Sequence, residues 1–195
     1  ANDSADLTLS GSLADINATL ASLSYQGNTH FNGSDTLTVL STDSNAATDS
    51  DTVSITVNAV NDTPVVSGPG VAYSATENIA LNIHGTGFTV ADVDAAAGTM
   101  TATLAVGEGA LTIAVGDSGA SISSGNGSGS VVLTGTLTQI DNLLTGSSTG
   151  TITYLNSSDT PSASTSIDLT LNDGGNTGSD PGLTGDGSSE EDSAS

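Results

Sequence analysis

The sequence predicts an all-β protein, built of tandem antiparallel β-sandwiches that each carry one short helical turn. Apolar residues recur with period two in short runs, and glycine-rich turns separate these runs. Gly, Ser, Thr, Asn and Asp fill most of the other positions, and they favour strands joined by tight turns. Two distant segments share one apolar pattern, which indicates a tandem repeat of about domain size.

The repeated pattern begins in residues 1–60. Five positions recur in register at an offset of 124 (135 − 11): Leu9, Gly11, Leu13, Ile16 and Leu20 return as Leu133, Gly135, Leu137, Ile140 and Leu144. In each copy a strand is predicted to end at the glycine. A helix-capping sequence follows: Ser12 with Asp15, and Thr136 with Gln139. The apolar spacing then becomes helical, so we expect one short helix in each copy.

A stiff connector divides the two units. Residues 52–57 alternate polar and apolar, as a half-buried last strand does. Pro64 cannot donate to a strand ladder and keeps the preceding residue extended, so residues 61–64 are predicted to form a short linker. We therefore assign residues 1–60 to the C-terminal part of one unit and residues 61–195 to the next.

Strands are also predicted after each helix, at residues 22–25 and 149–155. In the second unit, alternating apolar residues predict further strands around these positions: Ile79 to Ile83, Met100 to Val106, Leu111 and Ile113, Val131 and Leu133, and Ile167 to Leu171. Asn126-Gly127 is predicted to be a hairpin tip. This spacing of short strands is typical of an antiparallel sandwich.

The C-terminal residues are Gly, Ser and acidic residues with few apolar positions. Asn172-Asp173 aligns near Thr42-Asp43, which places the tail in the loop before a last strand. We therefore expect the second unit to lack the equivalent of residues 52–57, and residues 176–195 to be a mobile acidic tail beside an unpaired edge.

Charge excludes several function classes. The chain has no Lys or Arg and 22 Asp plus Glu, for a formal net charge of −22, and it has no Cys. Binding to nucleic acid or to an anionic membrane surface is excluded, and no apolar run is long enough for membrane insertion. Without disulfides or internal salt bridges, an external cation must neutralise the carboxylates, and Ca²⁺ prefers such oxygen ligands.

Two groups of polar residues are candidate Ca²⁺ ligands. The first lies near the linker and comprises Asn61, Asp62, Glu77, Asp92 and Asp94; the second comprises Asp43, Asp51 and Asp173. The alternative, that these are solvated turn residues, stays open because a single D-x-D pair is a weak motif. Gly116-Asp117-Ser118-Gly119 is similar to a serine-protease turn, but the surrounding pattern is absent, so no enzyme is predicted.

Residues 57–64 and 31–39 resemble the cadherin-like tandem repeats of giant bacterial surface proteins and RTX-type adhesins, whose units share a V-N-D-x-P linker and an F-N-G-x-D block. The resemblance implies Greek-key sandwiches arranged end to end, with Ca²⁺ at the junctions. It also implies that Asn61 and Asp62 are linker ligands, that Glu77 is an early acidic ligand, and that Asp92 and Asp94 are a D-x-D pair. The linker departs from the fuller acidic pattern at Ala59 and Thr63.

The predicted function is that of an extracellular spacer in a large bacterial adhesin, supporting cell adhesion and biofilm formation. Its partners are then adjacent repeats of the same polypeptide. One alternative is a filament or sheath subunit, completed by a strand from a neighbouring chain. Another is a carbohydrate or host-ligand binding module, although aromatic residues make up only 3% of the chain.

Overall fold

The computed structural model describes residues 6–95, 97–175 and 191–194. Within them the all-β class is confirmed, because two short helices accompany twelve strands. The elements in chain order are α1 (Leu13–Leu20), β1 (Gly33–Thr42), β2 (Thr48–Val57), β3 (Val65–Ser67), β4 (Leu81–Asn82), β5 (Thr89–Ala91), β6 (Met100–Val106), β7 (Ala110–Ala114), β8 (Ser121–Ser124), β9 (Ser130–Gly135), α2 (Leu137–Leu144), β10 (Thr151–Leu155), β11 (Ile167–Asn172) and β12 (Glu191–Ala194).

The second unit is an antiparallel sandwich. One sheet has the strand order β4-β10-β7 and the other β12-β11-β6-β9-β8, while β3 and β5 form a separate ribbon. Alternate residues of β6, β9 and β11 point into one core, to which α2 contributes its apolar face. The largest fully buried apolar side chains are Met100, Leu104, Leu111, Val131, Leu133, Ile140, Leu143, Leu144, Ile152, Leu169 and Leu171. The alternation predicted for these strands is confirmed.

The short helix predicted in each copy is formed, and the two helices occupy equivalent positions. Helix α1 and helix α2 have the same length, and both of their ends are separated by the offset of 124 that the sequence shows. Thr136 forms a reciprocal capping box with Gln139, whereas Ser12 accepts from the N–H of Asp15 and donates to its carboxylate. The same local sequence therefore starts a helix in each copy.

The first unit contains fewer strands than predicted. Strands β1 and β2 form a long antiparallel hairpin in which Gly33 pairs with Val57 and Thr42 with Thr48. The predicted strands at residues 22–25 and before Gly11 are not formed. A strand needs a partner to satisfy its backbone groups, and the described residues offer none to these two segments.

The edge of the second sandwich also differs from the sequence prediction. Strand β12 pairs antiparallel with β11, from Asn172 opposite Glu191 to Leu169 opposite Ala194. A short acidic segment thus occupies the place that the sequence leaves to a missing last strand. Residues 176–190, where a mobile tail was predicted, lie outside the described residues. Among the described helices, neither is long and apolar enough to cross a membrane.

Candidate metal centre

Two carboxylates of the candidate centre come from one tight turn. Asp92 and Asp94 directly follow β5, and the backbone N–H of Asp94 donates to Oδ1 of Asp92 over 3.1 Å. An aspartate that accepts from the N–H two residues on bends the chain into an Asx turn. The two carboxylates lie close together in a bend, whereas the alternation of Asp92 and Asp94 in the sequence predicts an extended segment with both on one side.

Asp173 supplies the third carboxylate. It follows β11 and is only 1% exposed. Its Oδ1 accepts from the N–H of Gly175 over 2.9 Å, in a turn where Gly174 and Gly175 both have left-handed φ angles near 68° and 67°. One ligand atom from each of Asp92, Asp94 and Asp173 lies within 4.8 Å of the others. The sequence assigned Asp173 to the second candidate group, whereas the fold brings it to the first.

The linker is hydrogen-bonded to both loops that carry the cluster, the one after β5 and the one after β11. Asn61 is 4% exposed, and its Nδ2 donates to Oδ2 of Asp173 over 2.9 Å. The next backbone N–H, that of Asp62, donates to Oδ2 of Asp94 over 3.0 Å. Of the five residues in the first candidate group, four therefore meet around the start of the second unit. The Asn61 amide and the Asp62 backbone act here as donors to the carboxylates.

His30 is a residue of this region that the sequence analysis missed. It lies in a turn with a φ angle of 59°, and its Nδ1 is 2.8 Å from Oδ2 of Asp62. Beside this contact is a cleft of about 240 Å³ lined by His30, Phe31, Asn32, Asn58, Val60, Asp62 and Asp94. No motif spacing connects residues 30 and 62. The composition alone could have indicated this contact, because in a chain without Lys or Arg the two histidines are the only side chains that can carry a positive charge near a carboxylate.

Glu77 does not reach the cluster. It is exposed in the turn between Thr76 and Ile79, and that turn is held by the N–H of Asn78, which donates to the carbonyl of Asn156. Asn156 also bonds the side chain of Glu108, just beyond the end of β6, whereas Asp173 lies beside the start of β6. Seven strand residues separate these ends by about 20 Å. The expected convergence of Glu77 with the linker is therefore not found.

Asp43 and Asp51 also lie apart from the cluster. Asp43 is at the tip of the β1–β2 hairpin, where its Oδ1 accepts from the N–H groups of Asn45 and Ala47 at 2.8 and 2.9 Å. Asp51 is exposed within β2, opposite Val39. The hairpin is ten residues long, so its tip is about 30 Å from the linker end. Of the second group, only Asp173 contributes to the centre.

The electrostatics of the cluster favour a bound cation. Burial raises the pKa of Asp92 from 3.8 to about 6, and a hydrogen bond and the negative charges from Asp94 and Asp173 add to this rise. Among the described residues no hydrogen-bond donor reaches Oδ2 of Asp92, although that atom is buried. The whole sequence has no Lys or Arg to compensate these charges. A buried carboxylate oxygen without a donor is costly, and a divalent cation removes that cost.

The donor set fits a hard divalent cation. Carboxylate oxygens are the ligands that Ca²⁺ prefers, at 2.3–2.6 Å, so two oxygens on opposite sides of one ion are about 5 Å apart. Asp92, Asp94 and Asp173 meet that limit. Ca²⁺ takes six to eight oxygen ligands, so these three carboxylates would fill part of its coordination shell. The chain has no Cys, and the ring of His30 contacts the carboxylate of Asp62 and is not part of the cluster. The cluster therefore has neither the thiolate nor the imidazole ligands that favour Zn²⁺ or copper.

Comparison with known proteins gives a partial match. A family model described as the Protein GAMETE EXPRESSED 2 domain matches residues 1–61. This span covers less than half of the chain and ends at the first residue of the linker, so it includes none of Asp92, Asp94 and Asp173. No curated protein and no solved structure matches the chain significantly.

Proposed function

We propose that this chain is a spacer segment of a large extracellular adhesive protein, in which Ca²⁺ holds the linker between successive β-sandwich units in one geometry. The observation that carries the proposal is the convergence of Asp92, Asp94 and Asp173 at the linker of a chain without Lys or Arg. A spacer needs a fixed shape more than a reactive group, and a cation at a junction supplies that shape.

The proposed mechanism is electrostatic. Without a cation, three carboxylates within 4.8 Å repel one another, and the loops that carry them separate. Asn61 and Asp62 are hydrogen-bonded to these same carboxylates, so the linker loses its anchor when the loops move. With Ca²⁺ bound, the loops after β5 and β11 are held together and the linker stays fastened to both.

A second contact extends this effect to the first unit. His30 precedes β1, and its ring nitrogen contacts the Asp62 carboxylate. Asp62 therefore connects the first unit to Asp94 of the centre through its side chain on one side and its backbone N–H on the other. In this proposal an ordered linker fixes the direction of the β1–β2 hairpin relative to the second sandwich.

The sequence resemblance to cadherin-like repeats of bacterial adhesins supports an extracellular location and a role in cell adhesion and biofilm formation. The resemblance rests on residues 57–64 and 31–39, which flank or form the linker region just described. A net charge of −22 favours solubility and makes neighbouring copies of the chain repel one another, which suits a spacer. Adjacent units of the same polypeptide are the proposed partners.

Calorimetric titration of the full chain with Ca²⁺ tests the proposal, together with small-angle scattering in chelator and in Ca²⁺. We expect binding by the native chain, loss of binding in Asp92→Asn and Asp173→Asn, and retention in Asp51→Asn, which removes the same charge away from the centre. In Ca²⁺ the scattering should indicate a more elongated and less variable shape for the native chain and Asp51→Asn, but not for Asp92→Asn or Asp173→Asn. Binding without any change in scattering would contradict the spacer role, and no binding would contradict the metal centre.

A further inference from the structure

The two copies of the repeat differ in which of their apolar residues are buried. Leu144 at the end of α2 is 1% exposed, whereas its counterpart Leu20 in α1 is 37% exposed. Ile140 is fully buried, and its counterpart Ile16 is only half-buried. No residue of α1 is buried, although its sequence pattern and its cap match those of α2. The same helix therefore has a cover in one copy and lacks it in the other.

The structure of the second unit identifies that cover. We call residues 61–129 the front half, which contains β3 to β8, and residues 130–194 the back half, which contains β9, α2, β10, β11 and β12. Helix α2 packs on β5 of the front half and on β9. Strand β9 pairs with β6 and β8, and β10 pairs with β4 and β7. Every strand of the back half except β12 thus has a front-half partner, because β11 also pairs with β6.

The first unit contains the elements of a back half that form from local contacts alone. Helix α1 is held by hydrogen bonds within its own backbone. Strands β1 and β2 are joined by a short turn and pair with each other. The counterparts of β9 and β10 at the offset of 124, residues 6–11 and 27–31, contain no strand. Among the described residues β1 pairs with β2 alone, whereas its counterpart β11 pairs on both edges. The features that are missing are those that the front half supplies in the second unit.

We infer that the apolar face of residues 6–57 is a docking surface for the front half of a like repeat, a preceding segment of the same polypeptide that resembles residues 61–129. The apolar residues that would meet it are Leu9, Ile16 and Leu20 and, on one side of the hairpin, Leu37, Val39, Val53, Ile55 and Val57; that side of the hairpin also carries three aspartates at its edge and outer end. In the second unit, Met100, Leu104 and Leu111 of the front half cover the equivalent surface and are fully buried. A second copy of the chain offers no such cover, because its own front half is occupied by its own back half.

The test places a second copy of residues 61–129 directly before Asp6. This joint preserves the natural register, since Ser130 is the counterpart of Asp6 at the offset of 124. Hydrogen exchange is measured for α1 and α2 in the original and the extended chain. We expect exchange in α1 to slow by roughly 1,000-fold or more, as for segments that open only on global unfolding, while α2 stays unchanged. In the extended chain, Ile16→Asp should abolish that protection, and in the original chain it should leave thermal unfolding unaltered.

A second variant guards against failure of the extension to fold. In it residues 130–195 are replaced by residues 6–60, so that the front half of the second unit receives the first unit as its back half. Protection of the transplanted α1 supports the inference. Fast exchange of α1 in both variants overturns it. The inference is also overturned if the original chain dimerises in sedimentation experiments and protects α1 in doing so, because the occupant is then a second copy.

Discussion

Replacing Asp92 by Asn should reverse the sign of its effect on stability between chelator and Ca²⁺. In the metal-free protein this substitution removes one of three mutually repelling carboxylates and leaves a side chain of the same size. In Ca²⁺ it removes a charged ligand. We therefore expect Asp92→Asn to be more stable than the native chain in EDTA and less stable in millimolar Ca²⁺.

The size of the gain in EDTA follows from the pKa of Asp92. Raising a carboxyl pKa from 3.8 to about 6 costs the folded state about 3 kcal/mol at neutral pH, at 1.36 kcal/mol for each pH unit. Asp92 is partly exposed, and solvent screening reduces that figure to about 1–2 kcal/mol. The expected loss in Ca²⁺ is similar, because a ligand at 100 times its Kd stabilises the folded state by about 2.7 kcal/mol.

The gain should also depend on pH in a defined direction. The folded protein takes up a proton at Asp92 near pH 6, whereas the unfolded chain does so only near 3.8. Between these values the folded state binds more protons, so the native chain in EDTA becomes more stable as the pH falls from about 7 to about 5. Asp92→Asn lacks this contribution. The difference between the two proteins should therefore shrink over the same interval.

Urea unfolding in EDTA and in Ca²⁺ at both pH values measures these differences, with Asp51→Asn as a control for net charge. Asp51 is exposed on β2 and far from the centre, so its replacement should have the same small effect in all four conditions. If Asp92→Asn destabilises the chain equally in EDTA and in Ca²⁺, the carboxylate has a purely structural role and the reasoning is refuted.

Three further effects are expected. Leu133→Ala should cost about 2–5 kcal/mol, whereas Leu9→Ala, its half-buried counterpart, should cost less than about 1 kcal/mol in urea unfolding. Hydrogen bonds from the backbone and side chain of Thr149 lower the pKa of Asp117, so Asp117→Asn should lower the melting temperature at neutral pH; that difference should disappear as the pH falls through the lowered pKa. Thr136→Ala should cost about 1 kcal/mol through loss of the α2 cap, measured by thermal unfolding.

Features with local causes could be predicted from the sequence. The two helices follow from capping residues and apolar spacing within eight positions, and both ends of each obey the repeat offset. The hairpin tip at Asn126-Gly127 joins β8 and β9 as expected, and the Asn126 side chain additionally bonds the backbone of Ile113. The pairing of Asp92 with Asp94 was predictable for the same reason, because one turn carries both residues.

Features that depend on distant partners could not be predicted in this way. Residues 22–25 have strand character, yet no strand forms because the segments that would pair with them are not provided by the described residues. Asp173 and Asp92 are 81 residues apart in sequence (173 − 92), and they meet only because β11 pairs with β6. Glu77 is closer to the linker in sequence, but the length of the sandwich separates it from the centre. Sequence distance thus ranked these two carboxylates in the wrong order.

Asp43 offers a final test, in which both proposals meet. Its Oδ1 accepts from the N–H two residues on, as does that of Asp173, and the two residues occupy corresponding places after β1 and β11. The second oxygen of Asp173 is bonded by Asn61, which belongs to the unit's own linker. In the chain extended by residues 61–129, a second Asn61, Asp92 and Asp94 would precede the first unit, and Asp43 should complete a second centre with them.

Calorimetry should then find twice as much bound Ca²⁺ in the extended chain as in the original. Asp43→Asn should remove the added half, whereas in the original chain the same substitution should leave Ca²⁺ binding unchanged, since Asp43 there only closes a hairpin. If α1 becomes protected in the extended chain but bound Ca²⁺ does not increase, the docking surface is supported and the equivalence of Asp43 with Asp173 fails. A rise in bound Ca²⁺ that survives Asp43→Asn would mean that the added carboxylates bind the ion without the first unit.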